Sequence, residues 1–218
     1  WRCSTRVWLS VPVGSSALEL GALYRIENLT DDEDDAGNAD DSSFLITAEL
    51  SSPIMGGFNK FVLQYADEGF ARAMRFTGGG QWVGDLGAGA TGFRIIDHGV
   101  IKATSSIELG YAVWYGMTDQ GDNGGDLSAW SISARPAIST SDTTKVYFEV
   151  GYFGADDDGT DAERSKVTVA HAWSAGPGYW SRPEIRLFAS WLYDGEDENR
   201  FRGDDTAINF GVQAEAWW

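Results

Sequence analysis

The chain has 218 residues and carries 33 acidic side chains against 16 Lys and Arg, which gives a formal charge of −17 at pH 7. This charge excludes a nucleic-acid partner, because binding to a phosphate backbone requires clustered basic side chains. Hydrophobic residues make up 43% of the sequence, with 10 Trp, 11 Phe and 8 Tyr, and this content excludes a disordered acidic chain, which lacks the apolar surface needed to fold.

Apolar and polar side chains alternate along most of the chain, and this period of two predicts β-strands. In the last segment, Ile208, Phe210 and Val212 alternate with Asn209 and Gly211. Segments of this kind predict about eleven strands. In chain order they lie near residues 5–12, 16–28, 43–53, 57–67, 91–101, 105–117, 126–137, 143–154, 164–174, 182–194 and 205–218.

The predicted connections alternate in length. Short turns lie at residues 13–15, 53–57, 103–104 and 139–143, and long Asp- and Gly-rich loops lie near 29–42, 68–90, 118–126, 155–163 and 195–205. Transmembrane barrels show this alternation, with tight periplasmic turns and long loops outside the cell. The pattern favours an all-β, antiparallel transmembrane β-barrel, with residues 1–218 in a single barrel domain. A soluble β-sandwich, whose apolar face would form a core, is the alternative.

The sequence alone predicts neither a membrane-spanning helix nor a signal peptide. No stretch approaches the roughly 18 consecutive apolar residues of a spanning helix, whereas a barrel strand crosses in about ten residues and is missed by such a search. No signal peptide is predicted. The chain starts at Trp1 without Met, so we expect it to be processed, truncated or incompletely known there, and no role is expected for the single Cys3.

Strand parity divides the side chains into two faces. The apolar face is expected to contact lipid, because its strands end in aromatic residues of the kind that form girdles at the membrane boundary. These residues are Tyr24, Tyr115, Tyr152, Trp191, Tyr193 and Trp218. The other face combines glycines with charged residues, and parity places Phe58, Trp180 and Trp217 on it, toward the periplasmic end.

Aromatic rings on a polar inner face suit sugars, because the C–H face of a pyranose stacks on a ring while its hydroxyls bond to charged neighbours. The alternative for Phe58, Trp180 and Trp217 is a packing role, which is the commoner one for single aromatic residues. Parity alone leaves both open.

Four stretches resemble the maltoporin family of LamB-type sugar porins. They are Gly57–Ala66 (GFNKFVLQYA), Arg94–Gly99 (RIIDHG), Trp180–Arg186 (WSRPEIR) and Phe210–Trp218 (FGVQAEAWW). The resemblance extends from about Thr5 to Trp218 and corresponds to the C-terminal half of a typical member. It implies a homotrimeric channel of the Gram-negative outer membrane, surrounded by lipid and lipopolysaccharide, that passes maltose and maltodextrin-like sugars by passive diffusion.

The resemblance also implies roles for particular residues. In the family a helical path of aromatic residues, the greasy slide, guides the sugar, and its matching positions here are Phe58, Trp180 and Trp217, the three that parity places inside. By parity, Arg182, Arg186 and Glu184 are candidate partners for sugar hydroxyls, or else lumen charges that balance one another.

The family's barrel has about eighteen strands, and an odd count near eleven does not close an ordinary bacterial barrel. Open edges in lipid leave backbone N–H and C=O groups unsatisfied. The remaining strands are therefore expected to come from elsewhere.

Several short motifs could indicate a metal site, a phosphate loop or an active site. The acidic runs at 31–35 and 156–158 are expected to be solvated loops rather than calcium sites, and Gly78-Gly79-Gly80 lacks the ending of a phosphate loop. His98 and His171 have no ligand spacing, so no metal is predicted. No catalytic motif appears, and neither enzyme activity nor a cofactor is expected. Besides a sugar channel, a soluble acidic carbohydrate-binding β-sandwich and a non-selective porin stay open, and sucrose porins are similar enough to leave the preferred sugar open.

Overall fold

The computed structural model describes residues 2–27, 42–75, 88–157, 159, 161–198 and 200–217. Within them, eleven strands form one antiparallel sheet in which every strand pairs with its neighbours in sequence. The strands are β1 (Arg2–Val13), β2 (Ser16–Glu27), β3 (Ser42–Ile54), β4 (Gly57–Asp67), β5 (Thr91–Lys102), β6 (Ile107–Asp119), β7 (Asp126–Ser139), β8 (Thr144–Asp157), β9 (Asp161–Ser174), β10 (Glu184–Asp194) and β11 (Thr206–Glu215).

The predicted all-β fold of about eleven strands is confirmed, and the soluble β-sandwich is wrong, because a sandwich needs two sheets. In the described chain, β1 pairs only with β2 and β11 only with β10, so two edges of the sheet are open. Over the described ranges, helical structure is limited to the four-residue helix α1 (Glu68–Ala71) and the 3₁₀ turns Arg72–Arg75 and Gly121–Asn123. No helix in the described ranges is long and apolar enough to cross a membrane.

The outer face of the sheet is apolar and exposed. Ile132, Phe148 and Val150 in the middle of β7 and β8 are 52%, 48% and 53% exposed, which for a surface in water would be an unusually large apolar area. Near the ends of the strands, outer aromatic rings meet one another. Trp130 and Tyr152 on neighbouring strands have ring centres 5.2 Å apart, and Trp191 and Tyr193 on β10 have theirs 5.9 Å apart. The structure thus places the predicted girdle residues on one face, except Trp218, which lies outside the described residues.

The turns at one end of the strands are tight. Only Gly14 and Ser15 separate β1 from β2, and only Met55 and Gly56 separate β3 from β4. Met55 and Gly56 both have positive φ, of 45° and 72°, as in the hairpin turns whose twist matches that of the paired strands. The other end carries the longer connections.

Two connections depart from the predicted alternation. The loop expected at 155–163 is only residues 158–160, because β8 and β9 continue to pair as far as Asp156 opposite Asp161. At the tight-turn end, the strand expected from residue 182 begins at Glu184, and residues 175–183 form a nine-residue connection. With nine residues this connection is too long for a hairpin turn, and it folds over the inner face.

The first part of the loop expected outside the barrel, 68–90, instead folds onto the inner face. Phe70 and Met74 are 2% and 0% exposed, since the strands beneath them carry glycines that let the backbones approach. A Cβ on Gly116 would lie 1.9 Å from the carbonyl oxygen of Met74, and one on Gly92 would lie 2.6 Å from that of Ala71. Residues 68–75 thus pack on the inner face of the sheet rather than extending beyond the ends of the strands, because their apolar side chains are buried there. Residues 76–87, with Gly78–Gly80, lie outside the described residues, as does the acidic run 31–35.

Candidate functional site

The three inner aromatic residues predicted from parity form one row. The ring of Trp180 lies 6.4 Å from that of Phe58 and 6.4 Å from that of Trp217, measured between ring centres. Phe58 is at the start of β4, Trp180 is in the connection 175–183, and Trp217 follows β11. Because β4 and β11 are seven strands apart in the sheet, this contact requires the sheet to curl strongly toward its inner face. The row lies at the tight-turn end of the strands.

The connection 175–183 holds Trp180 in place through hydrogen bonds to three strands. The backbone N–H of Tyr179 donates to Glu108 Oε2 at 2.6 Å, and Lys145 Nζ donates to the carbonyl oxygen of Gly178 at 2.7 Å. Arg135 Nε donates to the Tyr179 hydroxyl at 2.7 Å. Burial raises the pKa of the Tyr179 phenol above its ordinary value, so the hydroxyl is protonated at neutral pH and accepts the bond from Arg135 as an uncharged group.

Glycine at position 110 makes room for Tyr179. A Cβ on Gly110 would lie 2.1 Å from the Tyr179 hydroxyl oxygen, so any other residue at position 110 requires Tyr179 to move. Tyr179 is 5% exposed, whereas the neighbouring Trp180 is 50% exposed, and their rings meet at 5.1 Å in an edge-to-face arrangement. Tyr179 is therefore the anchor of this connection, and Trp180 is the ring it presents to the lumen.

The charged residues predicted beside the aromatic row form a buried ionic network. Arg186 Nη2 lies 2.8 Å from Glu184 Oε1 and 2.8 Å from Glu215 Oε1, while Glu184 Oε2 accepts from the Tyr147 hydroxyl at 2.7 Å. The side chains of Glu184 and Lys145 are both 0% exposed and lie 3.0 Å apart. Of the two roles left open by the sequence, mutual charge balance is the one that this geometry displays.

Arg182 connects this network to the aromatic row. Its Nε donates to Glu215 Oε2 at 2.7 Å, and its guanidinium carbon lies 4.5 Å from the centre of the Trp217 ring, within the range of a cation–π contact. The network thus contacts the Trp217 ring through Arg182 and helps to hold it in place.

Farther along the inner face lie three other charged side chains, which are more accessible than the buried network. They were not singled out from the sequence. Arg135 Nη1 is 3.6 Å from Glu149 Oε2, and Lys166 Nζ is 2.8 Å from Glu149 Oε1. The side chains of Arg135, Glu149 and Lys166 are 29%, 25% and 47% exposed, respectively. Arg135 and Glu149 line a cavity of about 580 Å³ together with Phe58 and Trp180. Strand parity alone could have identified all three, since each alternates with outward-facing neighbours.

Metal binding finds no support in the described ranges, where no group of three or more His, Cys, Asp or Glu side chains could hold an ion. His98 instead meets the ring of Phe58 edge-on at 6.3 Å, and His171 meets that of Trp173 at 4.6 Å. These histidines are ring neighbours of aromatic residues rather than a ligand set.

Comparison with known proteins gives consistent matches along the chain. A family model described as LamB porin matches residues 6–218. The chain is 56% identical over 208 residues to a maltoporin of Hahella chejuensis, covering 95% of this chain and 52% of that protein. It is 38% identical to a maltoporin of Photobacterium profundum, with 92% of this chain and 48% of the relative covered. The chain thus spans about half the length of the curated relatives it matches.

Solved structures show the same fold at low sequence identity. OmpT, an outer membrane protein of Vibrio cholerae, aligns with a TM-score of 0.59 at 15% identity, over 95% of this chain and 62% of that one. Its trimer form aligns with a TM-score of 0.57 at 16% identity, over 98% and 64% of the two chains. The eleven-stranded sheet therefore has the fold of part of an outer-membrane β-barrel.

Proposed function

The chain belongs to the LamB porin family, a family of channels rather than enzymes, and from this premise we propose that it lines an outer-membrane pore through which maltose and maltodextrin-like sugars diffuse passively. The observation that carries this proposal is the row of Phe58, Trp180 and Trp217, whose rings follow one another at 6.4 Å on the inner face. Successive pyranose rings of a linear oligosaccharide stack on such a row.

The exposure of the row suits a channel. Trp180 and Trp217 are 50% and 55% exposed, so each offers a ring face without enclosing a ligand. A channel has to bind its substrate strongly enough to admit it and weakly enough to release it, and stacking on an open ring contributes only about 1 kcal/mol beyond the burial of its area. The sugar then moves from ring to ring without a deep energy minimum.

We assign the hydroxyl contacts to two sets of charges. Arg135, Glu149 and Lys166 are the groups proposed to bond directly, because all three are partly exposed beside the cavity that Phe58 and Trp180 line. Arg182 and Arg186 are proposed to act at the Trp217 end, chiefly by holding that ring and Glu215 in place. Glu184 has no exposed surface, and it acts on the sugar only through these arginines.

The assembled channel is proposed from the family and from the outer face. We propose that residues 1–218 form part of a single barrel domain in the outer membrane, where the exposed apolar face meets lipid and lipopolysaccharide. A homotrimer is proposed by analogy, as OmpT of Vibrio cholerae occurs in a trimer form. Neither nucleic acid nor a cofactor has a place in this proposal.

Single-channel recording tests the function. The protein is extracted in detergent from cell envelopes, inserted in a planar bilayer, and titrated with maltohexaose. Saturable block of the ion current is expected. Steady conductance without block would identify a non-selective porin, and absence of any conductance would show that the protein does not form a pore.

A further inference from the structure

A second cavity lies on the inner face, nearer to the end with the longer connections. One wall is formed by the rings of Trp114 on β6 and Phe153 on β8, which pack against each other with their centres 6.3 Å apart and a tilt of 47°. Trp114 is only 8% exposed, so Phe153 is the more accessible ring of the pair. Ser131 of β7 lies between them in the strand register, so only a small side chain separates the two rings. The cavity has a volume of about 650 Å³ and is also lined by Phe201 from the connection 195–205. This volume is typical of small-molecule sites.

The floor of this cavity is made of small residues. Ser133 and Gly151 face each other across β7 and β8, two register positions from the pair Ser131–Phe153. A Cβ on Gly151 would meet nothing closer than 3.8 Å, so this glycine is not required by packing, unlike Gly110 and Gly116. The space above it is open, and the packed rings of Trp114 and Phe153 bound it on one side.

The charged side chains around the cavity are paired, with basic groups in excess because Arg164 and Arg200 share the carboxylate of Asp194. Lys166 is paired with Glu149 at 2.8 Å, and Arg164 Nε is paired with Asp194 Oδ2 at 2.7 Å, with Arg200 Nε 3.7 Å from the same oxygen. Such pairs retain unused donors and acceptors, because Lys and Arg carry several N–H groups and a carboxylate accepts several bonds. An aromatic ring beside such donors and acceptors suits a polyhydroxylated ligand, because each sugar hydroxyl can both donate and accept a hydrogen bond.

The second cavity is continuous with the first. Trp114, Ser133 and Glu149 line both of them. In the register of β5, Phe58 lies opposite Val100 and Trp114 opposite Ile96, a separation of four residues that corresponds to about 13 Å along the strand. A linear oligosaccharide can therefore touch both aromatic groups at once, whereas a disaccharide is too short to do so.

We propose that the cavity beside the packed rings of Trp114 and Phe153 is an outer subsite, which binds one end of a neutral linear oligosaccharide before its rings reach Phe58, Trp180 and Trp217. The longer connections of outer-membrane barrels face the outside of the cell, so this subsite comes first on the inward path. The inference rests on the proposed function of the aromatic row and adds a specificity for chain length.

Two substitutions with opposite effects on pore width test the subsite. Gly151→Leu fills the floor and narrows the pore, whereas Phe153→Ala removes one wall and widens it. Both are expected to lower the affinity for maltohexaose about fivefold in block titrations from the long-connection side, with little change for maltose. Gly151→Ala is the matched control, since its Cβ has space, and its affinity is expected to stay within about twofold of the unsubstituted protein. Ser133→Leu provides a second filling variant if Gly151→Leu does not insert.

The outcomes separate this inference from the proposed function. Unchanged maltohexaose affinity in Phe153→Ala and in the filling variants, with block intact, would overturn the outer subsite and leave the aromatic row in place. Equal losses for maltose and maltohexaose would also overturn it, because they indicate a general disturbance of the pore. If the unsubstituted protein shows no block by any sugar, both proposals fail together.

Discussion

Single aromatic residues on the inner face differ in how much of each ring a ligand can reach. Tyr147 and Tyr179 are 3% and 5% exposed, whereas Trp180 and Trp217 are at least half exposed. The two tyrosines are committed to hydrogen bonds with Glu184 and Arg135. Stacking of sugar is therefore assigned to the tryptophans, and the tyrosines support them.

Removal of either exposed ring provides the first prediction. Trp180→Ala and Trp217→Ala are each expected to weaken sugar block by about 1 kcal/mol, the size of a lost aromatic stacking contact, while ionic conductance stays similar. Titration of the current with maltohexaose measures this loss.

Trp173→Ala is the matched control for both tryptophans. Trp173 is 46% exposed and lies near the same end of the strands, but it is on the outer face, so sugar block is expected to be unchanged. Equal affinities in Trp180→Ala, Trp217→Ala and the unsubstituted protein would refute the assignment of the aromatic row.

The buried carboxylate of Glu184 provides the second prediction. Glu184→Gln removes the charge that Lys145 and Arg186 share, and breaking such a buried pair costs roughly 3–5 kcal/mol. The free energy of unfolding is expected to fall by roughly 3–5 kcal/mol, as measured by guanidinium titration in detergent micelles.

Glu49→Gln is the corresponding control, because the Glu49–Lys60 pair is only partly buried, at 19% and 37% side-chain exposure. Partly exposed pairs of this kind contribute about 1 kcal/mol or less. Similar losses in the two variants would mean that the buried network has no special role in stability.

Among the elements of the fold, the connection 175–183 is one whose position the strand pattern does not determine. It reaches back across the inner face to β6 and β7 because Tyr179 finds Glu108 and Arg135 there. Its own residues contain no regular period from which its path could be predicted. The contact partners are distant in sequence, and only the curled sheet brings them within reach.

Gly110 tests whether this connection positions Trp180. Gly110→Ala places a Cβ against the Tyr179 hydroxyl, so the connection is expected to shift and the affinity for maltohexaose to fall by about 1 kcal/mol or more. Block titration and single-channel conductance measure the effect. Gly151→Ala, also on an inner-face strand but with open space, is the control, and an equally small effect of both substitutions would contradict the anchoring role.

At the scale of the whole molecule, the two faces have opposite chemistry. Val150 in the middle of β8 is 53% exposed on the outer face, whereas the hydroxyl of Thr168 on β9 bonds to Ser190 on the inner face at 2.7 Å. The apolar outer face requires lipid or detergent, whereas the polar inner face tolerates water.

A charge placed on each face tests this distinction. Val150→Arg is expected to destabilise the inserted barrel by roughly 2–4 kcal/mol, the cost of a basic side chain on the lipid face near the midplane, and Thr168→Arg is expected to insert normally. Yield of folded protein in lipid vesicles measures the difference. Equal yields would show that the outer face does not lie in the hydrocarbon.

The sequence by itself determined the strands, their parity and the family, because period-two alternation and short motifs depend only on neighbouring residues. Phe58, Trp180 and Trp217 were assigned to one face in this way, although not to one row. Tertiary structure alone decided which inner residues meet: the contact of Trp180 with rings from β4 and β11, the burial of Glu184, the inward fold of residues 68–75, and the pairing of Trp114 with Phe153. These depend on the curvature of the sheet and on connections that fold back over it, and both arise from contacts between residues far apart in the chain, which no local pattern contains.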